Sequence, residues 1–219
     1  MEPVMQNPAL PSWLPALPSW LPVRSAWLLF CFLAWESPAL PQDGPESVSF
    51  ARRLSSAALA LTREEVSYDP AYYVLDYPGG DVPAGKGVCS DVLIRAYRTL
   101  GIDLQKEVHE DMAAHFGSYP DLWGLERPDP SIDHRRVPNL MTFFKRHGTV
   151  KPVTLRPGDY LPGDIVCWNL GGAVTHIGIV VDRKSRRWEG YQVVHNIGAG
   201  QVLEDCLFDY RIIGHYVYP

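Results

Sequence analysis

Gly87-Val88-Cys89-Ser90-Asp91-Val92-Leu93-Ile94-Arg95-Ala96-Tyr97 is the stretch around which fold and chemistry are arranged. Val92, Leu93, Ala96 and Leu100 fall on one face of a helix that begins at or near Cys89 and stops at Gly101. The first N–H groups of a helix have no intrahelical partner and sit at the positive end of its dipole, so a thiol placed there is biased toward thiolate. Cys89 is therefore a candidate nucleophile. Downstream, His176 lies in Thr175-His176-Ile177-Gly178-Ile179 and His195 in Val193-Val194-His195-Asn196, both rich in β-branched residues and strand-like. Side chains alternate faces along a strand, so His176 and Val180 share one face while Ile177, Ile179 and Val181 take the other. If the two histidine strands are neighbours, the rings can meet. Gly178 is read as leaving room for a helix end.

Around this set the chain is helical first and sheet-like after. Phe50, Leu54, Ala57, Ala58 and Leu61 follow helical spacing, so an amphipathic helix is predicted from about Ser47 to Thr62. Tyr68 to Gly87 reads as an ordered loop leading to the nucleophile. Asp103 can cap a helix over Leu104 to Phe116, and Pro138, the basic run Lys145-Arg146-His147 and Gly148 mark the start and end of another. Between them the proline- and aspartate-rich connection Ser118 to Arg136 is long enough to suggest a functional loop. Strands are predicted at Asp164 to Asn169, Val174 to Asp182, Tyr191 to His195 and Arg211 to Tyr218. Helices followed by strands imply an α+β domain with N-terminal helices packed on an antiparallel sheet.

The 219-residue chain is 46% hydrophobic and 21% charged, enough for one well-formed core. A net charge of -5 supplies no basic field for a polyanion, so nucleic acid is not an expected partner. Residues 1–39 read as a proline-rich N-terminus and signal peptide, and 40–219 as a single domain, with Gln42 to Ser47 a short linker. The near-repeat Leu10-Pro11-Ser12-Trp13-Leu14-Pro15 and Leu17-Pro18-Ser19-Trp20-Leu21-Pro22 excludes a regular helix. Arg24, the apolar run Ala26 to Trp35 and the small residues Ser37-Pro38-Ala39 then follow in the order of a secretory signal, and translation is expected to begin near Val23. The apolar run is well short of the roughly 20 residues a membrane-spanning helix needs. The expectation is an exported, periplasmic or secreted protein with no stable membrane span after cleavage, an uncleaved N-terminal anchor being the alternative. Phe30 before Cys31 argues against lipid attachment there. Loss of Cys31 with the signal leaves Cys89, Cys167 and Cys206, so at least one thiol is unpaired in an oxidising compartment. Cys167 and Cys206 are either two buried free thiols or a disulfide, and both options leave Cys89 free.

The order Tyr77, Gly79-Gly80, Cys89-Ser90, Pro162-Gly163-Asp164-Ile165-Val166, His176-Ile177-Gly178-Ile179-Val180, Val194-His195 resembles the NlpC-type, papain-like cysteine peptidases of bacterial cell walls. Gly87-Val88-Cys89, Val108-His109-Glu110-Asp111-Met112, Ile132-Asp133-His134-Arg135-Arg136-Val137 and His195-Asn196-Ile197-Gly198-Ala199-Gly200 are closer still to a bacterial family of unknown function grouped with that superfamily. The resemblance implies a papain-like NlpC-type fold and an amide-cleaving activity without a cofactor. It assigns Cys89 as nucleophile, His176 as base and acid, and His195 as the orienting residue. Tyr77 and the Cys89 N–H would face the oxyanion, and Asn196 is a weaker candidate for orienting His176. Better-known relatives carry Asp before the cysteine and Gly after the serine, where this chain has Val88 and Asp91; residues here, with Ser90, are taken to shape the substrate pocket.

Asp133-His134-Arg135-Arg136 could bind a carboxylate-bearing peptide through its arginines, or form an internal ion network. His109-Glu110-Asp111 reads as a solvated helix face or a cap rather than a metal site. No HExxH spacing and no phosphate-binding glycine loop are present, and the lack of a CxxC pair weakens a thiol oxidoreductase. The leading expectation is an exported cysteine hydrolase acting on a peptidoglycan peptide or another envelope amide through a thioester. The alternative is a non-catalytic envelope peptide-binding module with the same fold. Nothing in the sequence fixes an oligomeric state.

Overall fold

In the computed structural model, which describes residues 45–219, the helical half of the chain precedes the sheet. The expected signal peptide, the proline repeat and Cys31 lie outside the described residues. α1 (Pro45–Leu61) buries Leu54, Ala58 and Leu61, so the chain expected to be a linker is helical from Pro45 onward. The two-residue strands β1 (Ser67–Tyr68) and β2 (Lys86–Gly87) pair in parallel and close the intervening loop. α2 (Cys89–Arg98) starts where the Asp91 carboxylate accepts the Val88 N–H at 2.7 Å, satisfying a donor that the helix itself cannot. It ends before Gly101, whose φ of +85° makes the following turn instead of the helix stop itself.

α3 (Leu104–Ala114) is capped as its sequence predicts, with the Asp103 carboxylate accepting from the Gln105 and Lys106 N–H groups, and it stops short of Phe116, which opens a 3₁₀ turn. α4 (Val137–His147) has Pro138 in its first turn and its three basic residues in its last.

The remaining strands are β3 (Thr149–Val150), β4 (Ile165–Gly171), β5 (Val174–Lys184), β6 (Tyr191–His195), β7 (Val202–Glu204) and β8 (Arg211–Val217). They form one six-stranded antiparallel sheet in the order β3-β8-β4-β5-β6-β7. The α+β architecture is as the sequence implies, with the short β1, β2, β3 and β7 in addition. Asp164 precedes β4 instead of opening it, because its carboxylate accepts the Leu161 N–H and meets the His215 ring at 2.7 Å.

Alternation along β5 and β6 divides the core in two. Ile177, Ile179, Val181 and Val194 pack with Leu54, Leu93 and Phe144 on the helix side. Val180, Val193, Val166 and Trp168 lie on the other face with Tyr160 and Leu207. Each fully buried Leu, Ile or Phe contributes about 1.5–3 kcal/mol. Cys89, Cys167 and Cys206 are free thiols, and Cys167 and Cys206 belong to opposite sides of this division. Among the described residues, no helix is long and apolar enough to cross a membrane.

Candidate active site

The pairing of β5 with β6 runs only as far as Ile179 and Val194, so the Ile177 amide lies beyond the paired stretch. There it hydrogen-bonds the Cys89 sulfur, toward which the Ser90 and Cys89 N–H groups are also directed. The start of α2 is thereby tied to the residue that follows His176. The sequence predicts a thiolate here, and the structure does not bear this out. Burial pushes the Cys89 thiol up to about 11, with the Asp91 carboxylate adding to the rise, and the N–H groups offset only part of it. Desolvation outweighs the helix terminus.

On the adjacent strands His176 Nε2 and His195 Nδ1 are 2.9 Å apart, the rings meeting edge to face. His195 Nε2 in turn lies 3.1 Å from Glu204 Oε2 on β7. This sequence of contacts fixes the tautomers by inference, since a carboxylate can only accept. His195 carries its proton on Nε2 and offers a lone pair at Nδ1; His176 then carries its proton on Nε2 and keeps Nδ1 as its basic nitrogen. Burial and the neighbouring His195 push the His176 pKa down to about 3, so the ring is neutral and able to accept a proton. Burial lowers His195 too, against the opposing Glu204 charge. The space expected for a helix end at Gly178 is taken by β6. A Cβ there would stand 2.7 Å from Val193 Cγ1 and 3.1 Å from His195 Cβ, so glycine allows the two histidine strands to close up.

Cys89 opens on a cleft of about 230 Å³ whose walls include Tyr68, Trp123, Arg136, Pro138 and Thr175. Tyr68 is the tyrosine at the nucleophile, its phenol raised by burial and by Cys89 and Asp91. The parallel register of β1 and β2 sets Tyr68 opposite Gly87, two residues before Cys89. Tyr77, expected in this place, instead packs against the His109 ring at 5.1 Å. Arg136 stacks its guanidinium 4.0 Å above Trp123 at the edge of the same cleft.

Most of the other residues expected at the substrate are engaged with the protein. Ser90 Oγ donates to the Arg135 carbonyl. Asp91 forms a buried, two-pronged ion pair with Arg135, which also donates to the Ala71 carbonyl. Asp133 accepts the Asp129 N–H and meets His109, and His134 is buried. Asn196 donates to the Gly87 carbonyl and accepts the Gly198 N–H. Of this group Arg135 and Arg136 reach the cleft wall, and the Arg135 charge is matched by Asp91. His109 and Asp111 point apart, Asp111 binding Arg146 and Tyr119.

Glu204, Tyr68 and Trp123 were not singled out by the sequence. Glu204 belongs to a three-residue strand inside a glycine-rich connection, where alternation is too short to read. The tyrosine that matters is chosen by a two-residue parallel pairing, which leaves no periodic trace.

The molecule is thus an α+β protein with a buried thiol at a helix terminus and a histidine–histidine–glutamate chain on the adjoining strands. The chain belongs to the family described as Domain of unknown function (DUF1287), which matches residues 55–218. It is 50% identical over 187 residues to the uncharacterized protein YijF of Escherichia coli (strain K12), covering 84% of this chain and 89% of that protein. Among solved structures it is similar to NlpC1 from Trichomonas vaginalis, with 17% identity and a TM-score of 0.44, over 81% of this chain. The chain spans 46% of the length of that structure.

Proposed function

We propose that this protein is an exported cysteine hydrolase that cleaves an amide bond, in a peptidoglycan peptide or a similar envelope substrate, through a Cys89 thioester. The observation that carries the reading is the hydrogen-bonded order Glu204, His195, His176, which leaves His176 Nδ1 as a neutral base on the residue next to the one that binds the Cys89 sulfur. Because thiol and imidazole are both neutral at rest, His176 takes the Cys89 proton as sulfur attacks the carbonyl carbon. The Cys89 N–H and the Tyr68 hydroxyl face the developing oxyanion. The imidazolium charge that forms on His176 is shared toward His195 and Glu204. His176 then gives the proton to the leaving amine, and in the second half reaction it deprotonates the water that hydrolyses the thioester. No cofactor enters these steps.

Full-length protein and its Cys89→Ala form, incubated with peptidoglycan-derived peptides and followed by mass spectrometry, test the proposal. The expected result is cleavage by the parent, an acyl mass on Cys89, and loss of rate on the order of 10⁴-fold or more in the variant. Equal product yields from both proteins would remove Cys89 from the chemistry. One observation favours a second reading, the non-catalytic peptide-binding module: the thiol is buried and held in its neutral form. Binding of the same peptides without turnover, unchanged by Cys89→Ala, is the result that reading requires.

A further inference from the structure

On the face of β6 away from the helices, Cys206 Sγ lies 3.4 Å from His195 Nε2, the same nitrogen that stands 3.1 Å from Glu204 Oε2. One sulfur, one imidazole nitrogen and one carboxylate oxygen thus converge with all three atoms within 4.8 Å of one another. Zn²⁺ held tetrahedrally at Zn–N and Zn–O of about 2.0 Å and Zn–S of about 2.3 Å requires N···O and N···S edges of about 3.3 and 3.5 Å. The observed edges differ from these by a few tenths of an ångström. The two edges at His195 Nε2 therefore need only small side-chain adjustments, and the O···S separation lies within 4.8 Å.

The surroundings suit a cation. Asp205 and Asp209 add their charge to that of Glu204 around the thiol, and the buried Asp205 Oδ1 has no hydrogen-bond partner. Glu204 is partly exposed and gives a route in from solvent, while Cys206 and His195 are buried. A thiolate, an imidazole and one carboxylate leave a fourth position for water.

We infer that Cys206, His195 and Glu204 form a zinc-class metal site, and that the ion filling it switches off the His176 base. The second part rests on the hydrolase reading above. In the metal-free protein His195 Nε2–H donates to Glu204. A metal takes the Nε2 lone pair, so the His195 proton must sit on Nδ1, where it donates to His176 Nε2. His176 is then left with its proton on Nδ1 and can no longer accept one from Cys89. Both imidazoles remain neutral throughout, and the single proton released comes from the Cys206 thiol.

Titration of the reduced, full-length protein with Co²⁺ and then Zn²⁺ tests the site without reference to turnover. The expected result is a thiolate-to-cobalt charge-transfer band that Zn²⁺ bleaches and Cys206→Ser abolishes. Zn²⁺ affinity should fall in Cys206→Ser by more than the about 10–100-fold typical of losing a second-shell partner. Glu204→Gln, which retains the thiol and the shape of the side chain, should keep the band at weaker affinity; it carries the test if circular dichroism shows Cys206→Ser to be misfolded. Absence of the band, or a band that survives Cys206→Ser and disappears in Cys89→Ala, would overturn the site. With amide hydrolysis in hand, Zn²⁺ should stop turnover of the parent, a chelator should restore it, and Cys206→Ser should resist inhibition. Turnover that persists in zinc-saturated protein would overturn the switch. A metal-free protein that never hydrolyses peptides counts against the hydrolase reading alone, since the cobalt band decides the site by itself.

Discussion

Two polar clusters flank the start of α2, and they differ in what they leave over. In the first, Asp91, Arg135, Ser90 and Asp133 bond almost entirely to one another and to main chain, so that the loop from Asp129 to Arg136 is clamped to the helix. In the second, Glu204, His195 and His176 form an open series whose last member ends in a basic nitrogen, on the residue next to the one whose amide binds the Cys89 sulfur. Charge density alone would assign function to the first cluster. The first still holds two buried atoms with no hydrogen-bond partner, Asp133 Oδ1 and His134 Nδ1; it is the second that ends in a nitrogen able to take a proton.

The strongest way to break this distinction is to remove a charge from the clamp. Asp91→Ala deprives Val88 of its N–H acceptor and leaves the guanidinium of Arg135 buried without its counter-ion. Breaking a buried pair from one side costs about 3–5 kcal/mol. Denaturant unfolding is expected to show a loss of that size, with Asp91→Ala/Arg135→Met recovering a large part of it. A stability change below about 1 kcal/mol would show that Asp91 is not structural and reopen its assignment to the substrate pocket.

The thiol offers the next test. With its pKa raised to about 11 by burial, Cys89 in the folded protein should react with iodoacetamide slowly at pH 7, the rate climbing roughly tenfold per pH unit until near that value. After unfolding, the same peptide should titrate near the ordinary value of about 8.5. Mass mapping of the Cys89 peptide separates it from the other cysteines. Fast alkylation that is flat from pH 5 upward would mean a thiolate–imidazolium pair at rest and a different first step.

Glu204 is expected to have a smaller effect. On the hydrolase reading it contacts neither the substrate nor the Cys89 sulfur and acts by fixing the tautomer of His195, and through it that of His176. Glu204→Ala should lower kcat by about 10–100-fold, below the 10²–10⁴-fold of a direct acid–base group, with KM little changed. Restoration by Glu204→Gln, whose amide oxygen can still accept, would separate positioning from mere packing. An equal rise in KM would instead place Glu204 in substrate binding.

Much of the architecture was legible because it rests on periodicity and capping. Asp103 announces α3, Pro138 and the basic triplet bracket α4, and alternation along Thr175 to Val181 gives the correct face for Ile177, Ile179, Val180 and Val181 of β5. The meeting of the two histidines was conditional in the sequence on their strands being neighbours, and the pairing of β5 with β6 meets that condition. What escaped depends on tertiary pairing between segments too short to carry a pattern. Tyr68 rather than Tyr77 reaches Cys89 because Ser67 and Tyr68 pair with Lys86 and Gly87, and Glu204 reaches His195 through three residues of β7. The state of the thiol escaped for another reason. Helix position is visible in a sequence, whereas the desolvation that outweighs it is a property of the finished core.

The mildest test distinguishes the clamp by its response to acid. His134 is buried within it, and burial together with the positive charges of Arg135 and Arg98 lowers its pKa to about 3, against about 6.5 for an unfolded chain. Below pH 6.5 the unfolded state therefore binds a proton that the folded state refuses. The stabilisation associated with the neutral ring is fully present above pH 6.5 and is lost as pH falls toward 3, at about 1.4 kcal/mol per unit over most of that window. His134→Gln keeps a polar side chain at the position but cannot take up the proton. Unfolding free energies measured between pH 7 and pH 4 should diverge between parent and variant by this slope, the parent losing stability faster. If the two curves run parallel, the ring of His134 is accessible to protons in the folded protein, and the loop that carries it opens to solvent as readily as the cleft it borders.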